Sequence, residues 1–193
     1  MPNPTLVSIQ EGAEIAKKEA VNSVLGIGGG SSIDTAKAIA VAATHEGTAW
    51  DYLFFKKEPT KKTLPIIAIT TTSGTGSQVT KVSVLTNTDE LCKSAICHPN
   101  IFAKACIVDP ELMLTVPKAV TASTGFDVFT HSFESFLNIN CSTYVELLAI
   151  ESISLMVKNL KPLLEELDNL ELRTNMAWAD TLAGMCIANA GTT

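Results

Sequence analysis

Two apolar segments each run straight into a loop of small residues: "VLGIGGGSS" at 24–32 and "IIAITTTSGTGSQ" at 66–78. The apolar residues of the second segment run on rather than alternate, as in a parallel strand covered on both faces. Helical "SSIDTAKAIAVAATH" follows the first loop, and Ser31 with Asp34 three residues later predicts a capping box at its start. A glycine loop between strand and helix is a phosphate-binding geometry. The backbone can come close, and the helix N-terminus directs N–H groups and a partial positive charge at an anion. A tight turn that merely reverses the chain accounts for the same glycines. No Gly-Lys-Ser/Thr follows, and Ser31 stands in place of the last glycine of GxGxxG. The second loop offers hydroxyls and backbone donors where α/β proteins bind ligands, at the carboxyl end of a sheet. Read together, the two loops are expected to open on the same edge of that sheet.

The rest of the first half fits this reading. "MPNPT" is a turn-like start, residues 6–20 read as an amphipathic helix, and residues 46–62 as loop. "KVSVLT" and "KSAICH" flank "NTDELC" and predict a hairpin. "KACIVD" is a further strand, closed by "DPELMLTVP". From Pro117 onward the strand signals stop. Pro117 suits the first position of a helix, Gly125 is expected to break that helix, and helical stretches follow at 126–138, 142–160 and 171–188. The chain therefore divides into an α/β half, 1–116, and an all-helical half, 117–193.

Composition narrows the function classes. The 193 residues are 46% hydrophobic and 18% charged, enough apolar content for a packed core and too little charge for a disordered chain. Net charge is −6 with no basic stripe, so no nucleic-acid partner is expected. Five cysteines without a CxxC pair signal neither a zinc ribbon nor an iron–sulfur cluster and fit a reduced, cytoplasmic protein. The N-terminus lacks the apolar core of a signal peptide. No apolar run approaches the roughly 20 residues of a membrane helix, so no membrane partner is expected.

One helical stretch carries unusual side chains. In "TGFDVFTHSFESFLN", residues 124–138, Asp127 and His131 are four apart and share a face with Thr130 and Glu134. Phe126, Phe129, Phe133, Phe136 and Leu137 occupy the other face. A carboxylate and an imidazole at i and i+4 can hold one divalent metal from one side. Two plainer readings stay open: Asp127 as the acidic member of a capping box begun by Thr124, and His131 as an ordinary hydrogen-bonded histidine. A mononuclear site needs at least three protein ligands. The other histidines, His45 and His98, lie in segments read as a helix end and a hairpin arm and have no partner at helical spacing.

These segments, in this order, resemble the iron-containing, or group III, alcohol dehydrogenases. "GGGSSIDTAKAIA" is similar to the family's GGGSxxDxAK turn, and "TTSGTGSQVT" to its TTxGTGSE loop. "CIVDPELMLTVP" resembles its VDPEL segment, and "TASTGFDVFTHSFESF" its metal helix. "LAGMCIANAG" resembles a later AGxxxxNxG helix. The resemblance implies an α/β dinucleotide-binding domain followed by an all-α metal-binding domain, the dehydroquinate synthase-like architecture. It also implies an active site in the cleft between the two. Both domains are expected to be incomplete, because the family's first strands and its last two metal-ligand histidines have no counterpart in the sequence. The chain thus reads as a central fragment of a longer enzyme.

Carried over residue by residue, the resemblance places Gly30 and Ser31 at the cofactor pyrophosphate and Thr71, Thr72 and Thr75 along the cofactor. Lys93 falls near the nicotinamide ribose, and Leu112 on the adenosine side. Asp127 and His131 match the first two metal ligands. No general base is identifiable. Gln78 stands where the family motif has Glu, which is expected to remove a charge beside the loop; Phe129, Ser132 and Phe136 are smaller departures. The implied reaction is hydride transfer between a small-molecule alcohol or aldehyde and NAD or NADP, assisted by Fe2+ or Zn2+, in a cytoplasmic homo-oligomer. Two alternatives stand beside it: a non-catalytic nucleotide-binding module or inactive remnant, and a glycerol dehydrogenase-type relative.

Overall fold

Thr5 starts the first helix: it takes up extended backbone, and its hydroxyl oxygen accepts the Ser8 amide. The computed structural model describes residues 4–53, 56–88 and 90–193. Residues 1–3 of the turn-like start, 54–55 of the 46–62 loop and 89 of the hairpin turn lie outside the described residues. The helices are α1 (Leu6–Lys18), α2 (Gly30–Ala42), α3 (Lys118–Leu137), α4 (Thr143–Glu165) and α5 (Leu170–Ala190). The strands are β1 (Val24–Gly28), β2 (Ile66–Thr70), β3 (Val82–Asn87), β4 (Cys92–Cys97) and β5 (Ala105–Val108). They form a parallel three-stranded sheet in the order β1–β2–β5 and a separate β3–β4 pair. The strands end at Val108 and the three long helices begin at Lys118, the change of texture visible in the sequence.

The chain forms two compact units, Met1–Ile69 with Lys81–Cys106, and Thr70–Thr80 with Ile107–Thr193. In the first unit the core is built from Ile9 and Ala13 of α1, Ala38 and Val41 of α2, Ile66 of β2, and Leu85 and Ile96 of the hairpin. The antiparallel register pairs Val82 with Cys97 and Asn87 with Cys92, so Leu85 and Ile96 point to the same core. Gly26 lets β1 approach α2: a Cβ there would lie 2.9 Å from Ala36 Cβ. Lys37 and Asp34 tie α2 to β3. Lys37 Nζ donates to the Val82 carbonyl at 2.7 Å, and Asp34 Oδ2 accepts the Val84 amide at 3.0 Å.

One expectation fails in this unit. Asp34 belongs to no capping box: the cap is Gly29, without a side-chain hydrogen bond, and Asp34 sits deeper in α2 with its carboxylate on β3. In β2, the segment read as covered on both faces, buried and half-buried residues alternate and none is exposed. β1 differs: α2 packs on one side, whereas Leu25 and Ile27 on the other are more than half exposed.

In the second unit three helices pack around Val128, Met156, Leu163, Met176, Ala179 and Ala183, with a second cluster around Val145, Ala149, Cys186 and Ala190. Ser142 and Asn169 cap α4 and α5 by accepting the amides of Val145 and Leu172. A buried relay of hydroxyls crosses the bundle. Ser132 Oγ donates to Ser152 Oγ at 2.8 Å, which donates to the Ala179 carbonyl at 2.8 Å. Gly125 does not break α3. The helix runs through it, and a Cβ there would lie 2.4 Å from Leu160 Cδ1, so the glycine serves close helix packing. Pro117 is the N-cap of α3 rather than its first helical residue.

Candidate functional site

The functional residues expected from the sequence fall in both units. In the first, β1 ends at Gly28, whose φ of +140° favours glycine, and a Cβ there would lie 2.4 Å from Ser32 Oγ. Gly29 caps α2, and Gly30 and Ser31 form the first turn of that helix. This is the strand–glycine–helix geometry that suits an anion. Lys93 lies on β4 opposite Thr86 and is exposed. Burial lowers the Lys37 ammonium to about 8, against the opposing pull of Asp34. Its partners are the Val82 carbonyl and Asp34, so it ties elements together.

The second unit holds Thr71, Thr72, Thr75, Leu112, Asp127 and His131. Residues 70–80 fold back on themselves: Thr70 Oγ1 donates to the Thr72 carbonyl, and Thr75 Oγ1 accepts the Ser77 amide. Two glycines wedge this loop between helices. A Cβ on Gly74 would lie 2.4 Å from the Thr124 carbonyl oxygen on α3, and one on Gly76 would lie 2.5 Å from Gly184 Cα on α5. Gly76 also has a φ of +60°. Thr71, Thr72 and Thr75 are half-buried along the loop. Leu112 lies in a single 3-10 turn, Pro110–Met113, whose first amide is capped by Asp109, and it is 44% exposed.

The loop meets α3 at His131. Its Nδ1 lies 3.0 Å from the Gly74 carbonyl oxygen. A carbonyl only accepts, so Nδ1 carries a proton, and in the neutral form of the ring the lone pair is then on Nε2. This is the arrangement found when imidazole serves as a metal ligand: one nitrogen oriented by a backbone carbonyl, the other available. Asp127 stands one turn earlier on α3 and is half-buried. Because α3 is continuous from Lys118, Asp127 lies far from any N-cap, and the capping-box alternative falls away; Thr124 Oγ1 donates to the Val120 carbonyl instead. A carboxylate and an imidazole on one face suit a divalent transition-metal ion as two of its ligands. Among the described residues no group of three or more His, Cys, Asp or Glu is placed to hold a metal. His45 and His98 are bound locally: His45 Nε2 accepts the Thr60 amide, and His98 Nδ1 accepts the Asn100 amide.

One residue of this arrangement escaped the sequence reading. Asp180 on α5 is 1% exposed, and its Oδ1 accepts the Gly76 amide at 2.8 Å. Its Oδ2 accepts Gln78 Nε2 at 2.9 Å. Burial raises this carboxyl to about 6, opposed by its hydrogen bonds from Gln78 and the Gly76 amide. The neutral Gln78 thus meets a carboxylate from the facing helix. A signal existed: Asp180 interrupts the apolar stretch of α5 four residues before Gly184, on the same helical face.

The iron-containing alcohol dehydrogenase family model matches residues 1–110, and the model of that family's C-terminal domain matches residues 121–193. The long-chain-alcohol dehydrogenase 1 of Geobacillus thermodenitrificans is 39% identical over 193 residues, covering 99% of this chain and 48% of the relative. A 1,3-propanediol dehydrogenase of Citrobacter freundii is 39% identical over 189 residues, covering 98% of this chain and 49% of the relative. Among solved structures, an archaeal alcohol dehydrogenase from a Red Sea brine pool superposes with a TM-score of 0.97 at 39% identity, covering 100% of this chain and 50% of that one. Sulfoacetaldehyde reductase from Bifidobacterium kashiwanohense, solved with NAD+, superposes with a TM-score of 0.95 at 38% identity, covering 100% and 51%. The chain spans about half the length of these relatives. With two family models matched in order along its length, the chain belongs to the iron-containing alcohol dehydrogenases.

Proposed function

We propose that this chain contributes the cofactor-binding loops and two metal ligands of an NAD-dependent alcohol dehydrogenase, which transfers hydride between a small-molecule alcohol or aldehyde and nicotinamide. The observation that carries the reading is the 3.0 Å contact from His131 Nδ1 to the Gly74 carbonyl, which joins the metal helix to the threonine-rich loop. Gly30 and Ser31 at the start of α2 would receive the pyrophosphate, with Thr71, Thr72, Thr75, Lys93 and Leu112 along the rest of the cofactor. Asp127 and His131 would hold the ion as two of its ligands. When bound, the divalent ion supplies Lewis acidity toward the substrate oxygen. The residues of this chain orient that ion and the nicotinamide ring; none of them is assigned a proton-transfer role.

The finer assignments belong to the same reading: iron rather than zinc, NAD rather than NADP, a homo-oligomer, and a cytoplasmic location. No helix among the described residues is long and apolar enough to cross a membrane. A second reading is favoured by the lack of a third metal ligand among the described residues: the chain by itself binds nucleotide without turnover. Titration calorimetry with NAD, NADP, Fe2+ and Zn2+ on the chain and on its Asp127→Ala and His131→Ala variants separates the outcomes. Metal affinity lost in both variants with nucleotide affinity retained supports the assignment. Metal binding that both variants leave unchanged overturns it.

A further inference from the structure

Asp180 lies on a helix to which the cofactor and metal assignments give no role, yet it organises the loop on which His131 depends. We propose that Asp180 is a positioning residue for His131, acting through the loop backbone from Gly74 to Gly76. The Gly74 carbonyl accepts His131 Nδ1 at 3.0 Å. Two residues on, the Gly76 amide donates to Asp180 Oδ1 at 2.8 Å, and Gln78 Nε2 donates to its Oδ2 at 2.9 Å. Close packing of Gly74 on Thr124 and of Gly76 on Gly184 leaves the loop little room to shift. The Gly74 carbonyl belongs to the peptide between Gly74 and Thr75, and the carboxylate holds the next peptide, between Thr75 and Gly76, by its amide; with that neighbour fixed, rotation of the Gly74 carbonyl away from α3 is restrained.

Burying a carboxylate is costly unless donors surround it. Here one of the donors, the Gly76 amide, belongs to the loop that orients the imidazole. Without the carboxylate, that amide loses its acceptor and the restraint on the Gly74 carbonyl is relaxed. His131 then loses the partner that keeps its proton on Nδ1 and its lone pair on Nε2. Gln78 Oε1, buried with no hydrogen-bond partner among the described residues, offers no substitute acceptor aimed at the Gly76 amide.

This inference rests on His131 being a metal ligand only for its functional meaning; the tautomer is read without metal. The chain has three histidines, so long-range proton–nitrogen spectra of the 15N-labelled full chain resolve each ring. Spectra are taken above the ordinary imidazole titration range, with His131 assigned through His131→Gln. Wild type is expected to show His131 protonated on Nδ1. Asp180→Ala is expected to shift it to a tautomer mixture, while His45, held by Val41 and Thr60, keeps its signals. Should Asp180→Ala fail to fold, Asp180→Asn and the exchange Gln78→Glu/Asp180→Asn carry the test. The single variant loses the tautomer preference, and the exchange, which returns a carboxylate to the pair, restores it. In the same variants Fe2+ affinity is expected to fall and recover by tenfold to a hundredfold, roughly the range for an outer partner of a ligand. A folded Asp180→Ala or Asp180→Asn chain whose His131 stays protonated on Nδ1 overturns the proposal. A tautomer that shifts as expected in a chain that binds no Fe2+ keeps the positioning role and removes the metal reading instead.

Discussion

The two glycine-containing loops look alike in the sequence and are held in different ways. The loop after β1 is shaped by its own neighbours: Gly28 turns the chain at a φ of +140°, its closest neighbour is Ser32, and the helix that follows is capped by Gly29. The loop after β2 is shaped from a distance. Its Gly76 amide is held by a carboxylate 104 residues later, and its glycines are pressed against Thr124 and Gly184. A loop of the first kind can be read from a dozen residues. A loop of the second kind exists only once a helix bundle has been assembled around it.

Alanine at the two positive-φ glycines tests that difference most severely. Gly76→Ala adds a strained backbone to a clash with Gly184 Cα, an atom that no side-chain rotation can move aside. A loss of at least about 4 kcal/mol is expected, the exceptional class for one substitution. Gly28→Ala meets Ser32 Oγ, which can turn away, and Ser32 Cβ at 2.8 Å, which must shift with its backbone, so about 2 kcal/mol is expected, eased in part in Gly28→Ala/Ser32→Ala. Urea unfolding of the three variants measures both. Equal losses at Gly28 and Gly76 would erase the distinction between a locally and a remotely held loop.

The buried charges of the two units give pH dependences in separate windows. Asp180 has a folded pKa of about 6, above its ordinary 3.8, so between these values the folded chain binds the extra proton. Its contribution is favourable at low pH and falls as pH rises from about 4 to 6, by about 3 kcal/mol. Lys37 has a folded pKa of about 8, below 10.5, so there the unfolded chain binds the extra proton. Its contribution rises between about pH 8 and 10.5, by about 3 kcal/mol. Stability against pH for wild type, Asp180→Asn and Lys37→Met checks both signs: each variant is expected to flatten its own window alone. Flattening of both windows by one variant would contradict the assignment of one charge to each unit.

The smallest expected effect lies away from both loops. Ser152→Ala cuts the hydroxyl relay between α3 and α5, leaving the Ser132 hydroxyl and the Ala179 carbonyl without this partner. A loss of about 1–2 kcal/mol is expected in thermal or urea unfolding. A neutral result would mean that water enters the bundle readily at that point.

Much of this architecture was legible early, and particular residues show why. The β3–β4 pair follows from two weakly alternating runs about a short turn, and α4 and α5 start where Ser142 and Asn169 precede apolar periodic runs. The failures share one cause. Gly125 was read through its intrinsic helix cost of about 1 kcal/mol, which close packing on Leu160 outweighs. Asp34 was read as a cap because a cap lies three residues away, whereas its partner is an amide 50 residues on. The partner of Gln78 lies beyond any local pattern as well, because Asp180 is 102 residues distant.

Local chemistry was enough for the element types, the change from mixed to all-helical texture, and the spacing that sets Asp127 and His131 on one face of α3. These depend on backbone preferences and on periodicity, which act over a few residues. Packing alone settled which carboxylate holds the second loop, which nitrogen of His131 carries the proton, and why α3 passes through Gly125. Each of those depends on desolvation and close contact between segments far apart in the chain, quantities with no value until the helices have met.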